Sequence, residues 1–205
     1  MHLSARSLAV TILGAVFLIA AIGLGVHLAT DSQGSSPPRT AAVVVNGNPI
    51  PRSLVLKGVR IRLSTSASGP AQPGSPAYRQ VQDQIVRQLV QDVTVVAEAR
   101  RLGLVEFTGP VANHVATHAA QTQALWAKLY NYAARNVPDP DDATIVQAQS
   151  HDQDALSDLL NERQLRIYNA WQTRRDQVAG AWFQTLFRRY GARTAYAPGF
   201  RPTPI

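Results

Sequence analysis

The chain has 205 residues, a formal net charge of +7 and 45% hydrophobic residues. It has no cysteine, which excludes disulfides and thiol chemistry. The length suits one domain of ordinary size with appendages, and a folded part of about 160 residues can bury a core without covalent staples.

The N-terminus takes much of the apolar content. Residues 8–29, "LAVTILGAVFLIAAIGLGVHLA", carry no formally charged side chain. As a helix this stretch is about 33 Å long, enough for a hydrocarbon core of about 30 Å. Arg6 precedes it and Asp31 follows it, so the N-terminus is expected in the cytoplasm and the rest of the chain outside. A cleavable signal peptide is the rival reading. Its apolar region is usually about 7–15 residues and ends at small residues, whereas this one is longer and His27-Leu28-Ala29 is a poor cleavage site. The length favours a retained single-pass anchor, and both readings export the remainder of the chain. The expected layout is a cytoplasmic stub and anchor over 1–30, a flexible tether over 31–40, a helical domain over 41–198 and a Pro-rich tail over 199–205.

The folded part opens with "AAVVVNGNPIPRS", residues 41–53. Asn46-Gly47 supplies the positive φ angles of a type I′ turn between a β-branched strand and a returning one. Pro49 lacks a donor, which places the return strand at a sheet edge. A weak helix comes next, because Gly58 lowers helix propensity by about 1 kcal/mol relative to alanine. "STSASGPAQPGSP" (64–76) is a low-complexity loop.

The strongest helical pattern begins after that loop. Val81, Ile85, Leu89, Val93, Val96 and Leu102 line one side, with Val86, Val90 and Ala97 widening it. Gly103 stands where a left-handed helix terminator belongs, Leu104 gives its apolar companion, and Arg100 and Arg101 suit the negative helix end. Another helix is predicted behind Thr108 as N-cap, with Val111, Val115, Ala119, Thr122, Trp126, Leu129 and Ala133 as its stripe. "PDPDD" (138–142) breaks it, and Asp141 or Asp142 can cap the next helical segment. From about Asp154 to Tyr190 the period is helical again, with Gly191 ending it. A short strand around Arg193–Tyr196 is expected to pair with the opening hairpin. The fold class is mainly α with a small β element.

Hairpin, helix and connector together resemble the N-terminal chaperone domain of SurA/PrsA-type foldases. The residues that carry the resemblance are "VVVNGNPIPRS", then "YRQVQDQIVRQLVQDVTVVAEARRLGL" (78–104) and "FTGPVANHV" (107–115). It covers roughly residues 42–135. Such proteins often carry a parvulin prolyl isomerase domain, which needs about ninety residues. Here only "NVPDPDDATIVQAQSHDQD" separates the third helix from the last, so no isomerase activity is inherited. The resemblance implies a holdase-like module for unfolded or exported polypeptides. The alternative is a scaffold subunit of a cell-envelope or secretion complex, held by one envelope partner and binding no clients.

Sites for covalent chemistry are not legible. His114 and His118 share a helix face, but no cysteine and no zincin glutamate accompany them, so they read as histidines on a solvent-facing or partly covered surface rather than a metal site. There is no G-x-S-x-G elbow, no phosphate loop and no dinucleotide fingerprint. Asp139, Asp141 and Asp142 read as a solvated loop. No catalytic residue, metal or cofactor is expected. Aromatics gather on the last two long helices: Trp126, Tyr130, Tyr132, Tyr168, Trp171, Trp182, Phe183 and Phe187. Most suit a core. A surplus would cradle extended clients, with Trp126, Tyr130, Tyr168 and Trp171 as the candidates. Arg174-Arg175 and Arg188-Arg189 would suit phosphates, but export argues against nucleic acid.

Overall fold

A computed structural model describes residues 37–65, 71–151 and 155–204. The anchor expected over 8–29 lies outside them, as do residues 31–36 of the tether and 66–70 of the low-complexity loop. Among the described residues no helix is long and apolar enough to cross a membrane. The described residues are mainly helical, with one small antiparallel sheet among them. It divides into two compact units, one running to Trp126 and resuming at Leu186, the other formed by Ala127–Thr185.

In the first unit, β1 (Ala41–Val45) and β2 (Asn48–Pro51) form the predicted hairpin. Asn46 and Gly47 have φ of 45° and 82°, and Val45 pairs with Asn48 across a two-residue loop. Both central φ angles are positive, as the I′ turn requires. β3 (Thr194–Tyr196) pairs antiparallel with the other side of β1, Val43 opposite Tyr196 and Val45 opposite Thr194. β1 is therefore the central strand, with Ala41, Ala42, Val43 and Val45 buried. Pro49 sits in the edge strand, where its missing N–H removes no bond from the sheet interior.

α1 (Arg52–Ser64) runs uninterrupted through Gly58. The glycine has a packing reason. A Cβ there would stand 2.9 Å from Ile85 Cγ2, so its absence lets α1 approach α2 (Pro76–Arg101) closely. Ser75 caps α2 by accepting the Tyr78 N–H, and Pro76 fills the first turn. At the other end Gly103 has φ 71°. The Leu104 N–H donates to Ala99 O and the Gly103 N–H to Arg100 O, which is a Schellman termination.

The buried side of α2 overlaps the predicted one at Val86, Val90, Val93 and Val96 and departs from it elsewhere. Val81, Ile85, Leu89 and Leu102 are only half-buried, whereas Val86, Val90, Val93–Val96, Glu98 and Ala99 are buried. Four consecutive buried residues exceed one helix face. α1, β1, β2 and α3 (Val111–Thr117) all lie against α2, which makes it the hub of this unit.

The helix expected as one piece behind Thr108 is two. Gly109, at φ 93°, turns the chain so that Pro110 occupies the cap position and Thr108 is exposed. α3 ends at His118 (φ −128°, ψ 54°), and α4 (Ala119–Ala134) begins after it. The Thr117 hydroxyl bonds both Asn113 O and His118 Nδ1. Such local side-chain bonds compete with regular helix.

The second unit holds the later part of α4, then α5 (Ala143–Gln147), a 3₁₀ turn (Ala148–Ser150), α6 (Leu156–Leu159) and most of α7 (Glu162–Gly191). Asp142 caps α5, accepting the Thr144 N–H at 2.9 Å. The last long helix starts at Glu162, not near Asp154. Asn161 and Gln164 exchange bonds, Gln164 N–H to Asn161 Oδ1 and Asn161 N–H to Gln164 Oε1. That reciprocal capping box separates α6 from α7. Ile145, Ala148, Leu156 and Leu160 form a small core beneath Leu165 and Tyr168. Ala133, Ala134 and Ala179 form another beneath Tyr130 and Trp182.

Candidate functional site

Three of the four candidate client-binding aromatics fall in the second unit and in one cluster there. Tyr168 and Trp171 meet edge to face, ring centroids 6.2 Å apart. The Arg175 guanidinium lies 4.9 Å from the Trp171 ring centre and 5.7 Å from that of Tyr130. Arg175 Nη2 donates to Asn131 Oδ1 at 2.8 Å, and the Tyr130 hydroxyl donates to Asp176 Oδ1 at 2.6 Å. Burial, followed by the Asp176 carboxylate, pushes the Tyr130 phenol well above its ordinary pKa. Trp171 is buried, and Tyr130 and Tyr168 are half-buried. The sequence did not single out Arg175 as the group that joins them.

The helical period explains the arrangement. Ile167, Tyr168, Trp171, Arg175, Val178 and Trp182 occur at three-to-four spacing, so they share one broad side of α7. The buried part of that stripe is Trp171 and Arg175. Along its margin Ile167 and Val178 stay 39% and 38% exposed. The stripe is wider than what covers it within this unit.

Trp126, the fourth candidate, belongs to the first unit. It is half-buried, donates Nε1–H to Asp92 Oδ1 at 3.2 Å, and lies 5.9 Å from the Phe187 ring. Burial raises the Asp92 pKa above its usual value, against the hydrogen bonds from Gln88 and Trp126.

The first unit also contains a buried charge that periodicity does not reveal. Glu98 is 1% exposed. Arg101 forks onto both carboxylate oxygens at 2.7 and 2.8 Å, Arg189 donates to Oε1 at 2.8 Å, and the Tyr190 hydroxyl donates to Oε2 at 3.1 Å. Burial alone would raise the Glu98 pKa, but the two guanidinium groups outweigh it and hold the acid below its ordinary value. Arg101 therefore neutralises Glu98 as well as suiting the helix end. Arg100 turns instead to Phe107, 4.8 Å from its ring centre.

That Phe107 ring begins a stack. Phe107 and His114 are 4.2 Å apart and nearly parallel, and His114 and His118 are 4.7 Å apart at 16°. Face-stacked imidazoles direct their lone pairs along parallel planes, so the pair does not converge on one metal position. Among the described residues no three His, Asp or Glu side chains gather as a metal site. His114 is buried, more fully covered than the solvent-facing or partly covered position expected for it, because Phe107 folds over its ring. Its Nε2 has no hydrogen-bond partner among the described residues. Burial, then the neighbouring His118, lowers its pKa.

No protein-family model matches the chain, and neither does any curated protein or solved structure.

Proposed function

We propose that the chain is a membrane-anchored, extracytoplasmic chaperone-like module that holds exported polypeptides non-covalently, and that it resembles the N-terminal domain of SurA/PrsA-type foldases. The observation that carries the reading is the α7 stripe. Its centre is packed through Trp171 and Arg175, while Ile167 and Val178 offer apolar surface beside Tyr168. A fixed aromatic base with an exposed aliphatic margin suits weak capture of extended apolar segments, since binding then costs little side-chain ordering. The stretches that carry the resemblance fold as a hairpin and a Schellman-terminated α2, with a third strand beside β1.

The mechanism is non-covalent: apolar side chains of a client lie against the α7 margin, and the anchor keeps the module near the site of export. Site-specific photo-crosslinkers at Ile167 and Val178 in the native membrane test this. Several unrelated exported polypeptides captured at those two positions support it. Capture of one stable partner in fixed ratio would replace it with the scaffold reading.

A further inference from the structure

After β3 the chain does not leave the first unit. The Ala197 N–H donates to Ala42 O at 2.8 Å, and Gly199, at φ 81°, turns the backbone. Residues 199–203 then lie along the early turns of α2, which hold them by main-chain atoms. Gln82 Nε2 donates to Gly199 O at 2.6 Å. Asp83 Oδ2 accepts the Thr203 N–H at 2.9 Å, and Arg87 Nη2 donates to Thr203 O. One residue is thus gripped by its own N–H and C=O together. The side-chain contribution is Phe200, whose ring lies 5.3 Å from the Arg52 guanidinium.

Two further features distinguish this contact from ordinary packing. Arg201, Thr203 and Pro204 are exposed, and Phe200 and Pro202 only half-buried, so the segment adds little to the core. Pro198, Pro202 and Pro204 also bar it from joining the sheet and favour extended backbone. Beside it the Tyr196 hydroxyl is buried without a hydrogen-bond partner among the described residues, near the charges of Arg87 and Arg201.

Main-chain recognition by fixed side chains is tolerant of sequence. We infer that the α2 face bearing Gln82, Asp83 and Arg87 is a binding site for extended, proline-containing polypeptide, and that residues 198–204 are its occupant in cis. The inference deepens the holding function and rests on it. It adds a second site, in the other unit from the α7 stripe, and states what the site reads: backbone N–H and C=O groups of an extended strand. Release of the segment is the step that frees it.

The test uses the full chain, a variant ending at Ala197, and the fluorescein-labelled peptide APGFRPTPI. The shortened chain, with unchanged helicity, is expected to bind the peptide at least tenfold more tightly than the full chain. Asp83→Ser/Arg87→Ser in the shortened chain is expected to abolish that gain. An unlabelled proline-containing extended peptide of unrelated sequence should compete. If shortening impairs folding, full-length Thr203→Pro, which removes the N–H held by Asp83, should show the same gain. A folded Thr203→Pro or shortened chain that binds no peptide overturns the inference, and so does binding that only the chain's own segment can displace. Because this readout needs no client aggregation, a chain that binds the peptide yet protects no denatured protein would sink the holding function and leave the site standing.

Discussion

Arg189 places Nη2 2.8 Å from Glu98 Oε1, joining residues ninety-one positions apart through a carboxylate that is 1% exposed. The bond ties the end of α7 to the hub helix α2 just before β3 closes on β1. Tyr190 adds its hydroxyl to the same carboxylate. The knot therefore fixes where the chain re-enters the first unit.

Removing the acid should cost more than removing either base. Glu98→Gln leaves an amide nitrogen facing a guanidinium in a buried place, and breaking such a pair costs about 3–5 kcal/mol. Both arginines are about half exposed, so water recovers part of that and about 2–3 kcal/mol is expected. Arg189→Met should cost about 1 kcal/mol, because Arg101 still forks onto Glu98. Urea unfolding of the two variants checks the order.

Acid sensitivity should appear in two windows. His114 has its folded pKa lowered from 6.5, by burial first and His118 second. The unfolded chain then binds the proton more readily, so stability is full above pH 6.5 and falls as pH drops below it. Glu98 has its folded pKa lowered from 4.5. Its contribution is present above pH 4.5 and is lost as pH falls through the folded value. His114→Phe keeps the stack on Phe107 and removes the unpartnered Nε2, so it should flatten the fall that begins below pH 6.5 while leaving the window below pH 4.5. Denaturation midpoints at stepped pH measure both.

Gly58→Ala should destabilise despite alanine's better helix propensity. The propensity gain is about 1 kcal/mol, but the new methyl meets a β-branched γ-carbon at 2.9 Å, and overpacking costs about 1–3 kcal/mol. In the double variant with Ile85→Ala the clash is gone, so the two changes should be less than additive in a double-mutant cycle.

The Asn161–Gln164 box should be worth about 1 kcal/mol, the usual range for an N-cap. Asn161→Ala is expected to lower stability by that amount and to fray the start of α7, seen as faster amide exchange at residues 162–165. Unchanged exchange there would show that the surrounding core fixes the helix start.

How much the sequence disclosed depended on how local each feature is. The Asn46-Gly47 turn, the edge position of Pro49 and the Gly103 termination are set by residues within a few positions and were readable, and the Asp142 cap was one of the two candidates, Asp141 and Asp142, that the sequence left open. The Asn161-x-x-Gln164 signature was equally local and would have placed the start of α7. The pairing of β3 with β1 could be anticipated from the short strand after Gly191. Val86, Val90, Val93 and Val96 of the α2 face were readable too, but Thr94, Val95, Glu98 and Ala99 were not, because periodicity assumes one covered side and α2 is covered on several. Glu98 and Arg175 escaped for a related reason: besides a near neighbour, each meets partners distant in sequence, Arg189 and Tyr190 for Glu98 and Asn131 and Tyr130 for Arg175, and a charged residue reads as surface until those partners are known. Gly58 read as a weakness because its use depends on Ile85, twenty-seven positions away.

Light scattering of a chemically denatured client diluted into the full chain puts the holding function to its plainest test. Suppression of aggregation is expected at roughly equimolar chain, weakened severalfold by Ile167→Ser/Val178→Ser at unchanged helicity. No suppression at several-fold excess of folded chain would contradict it.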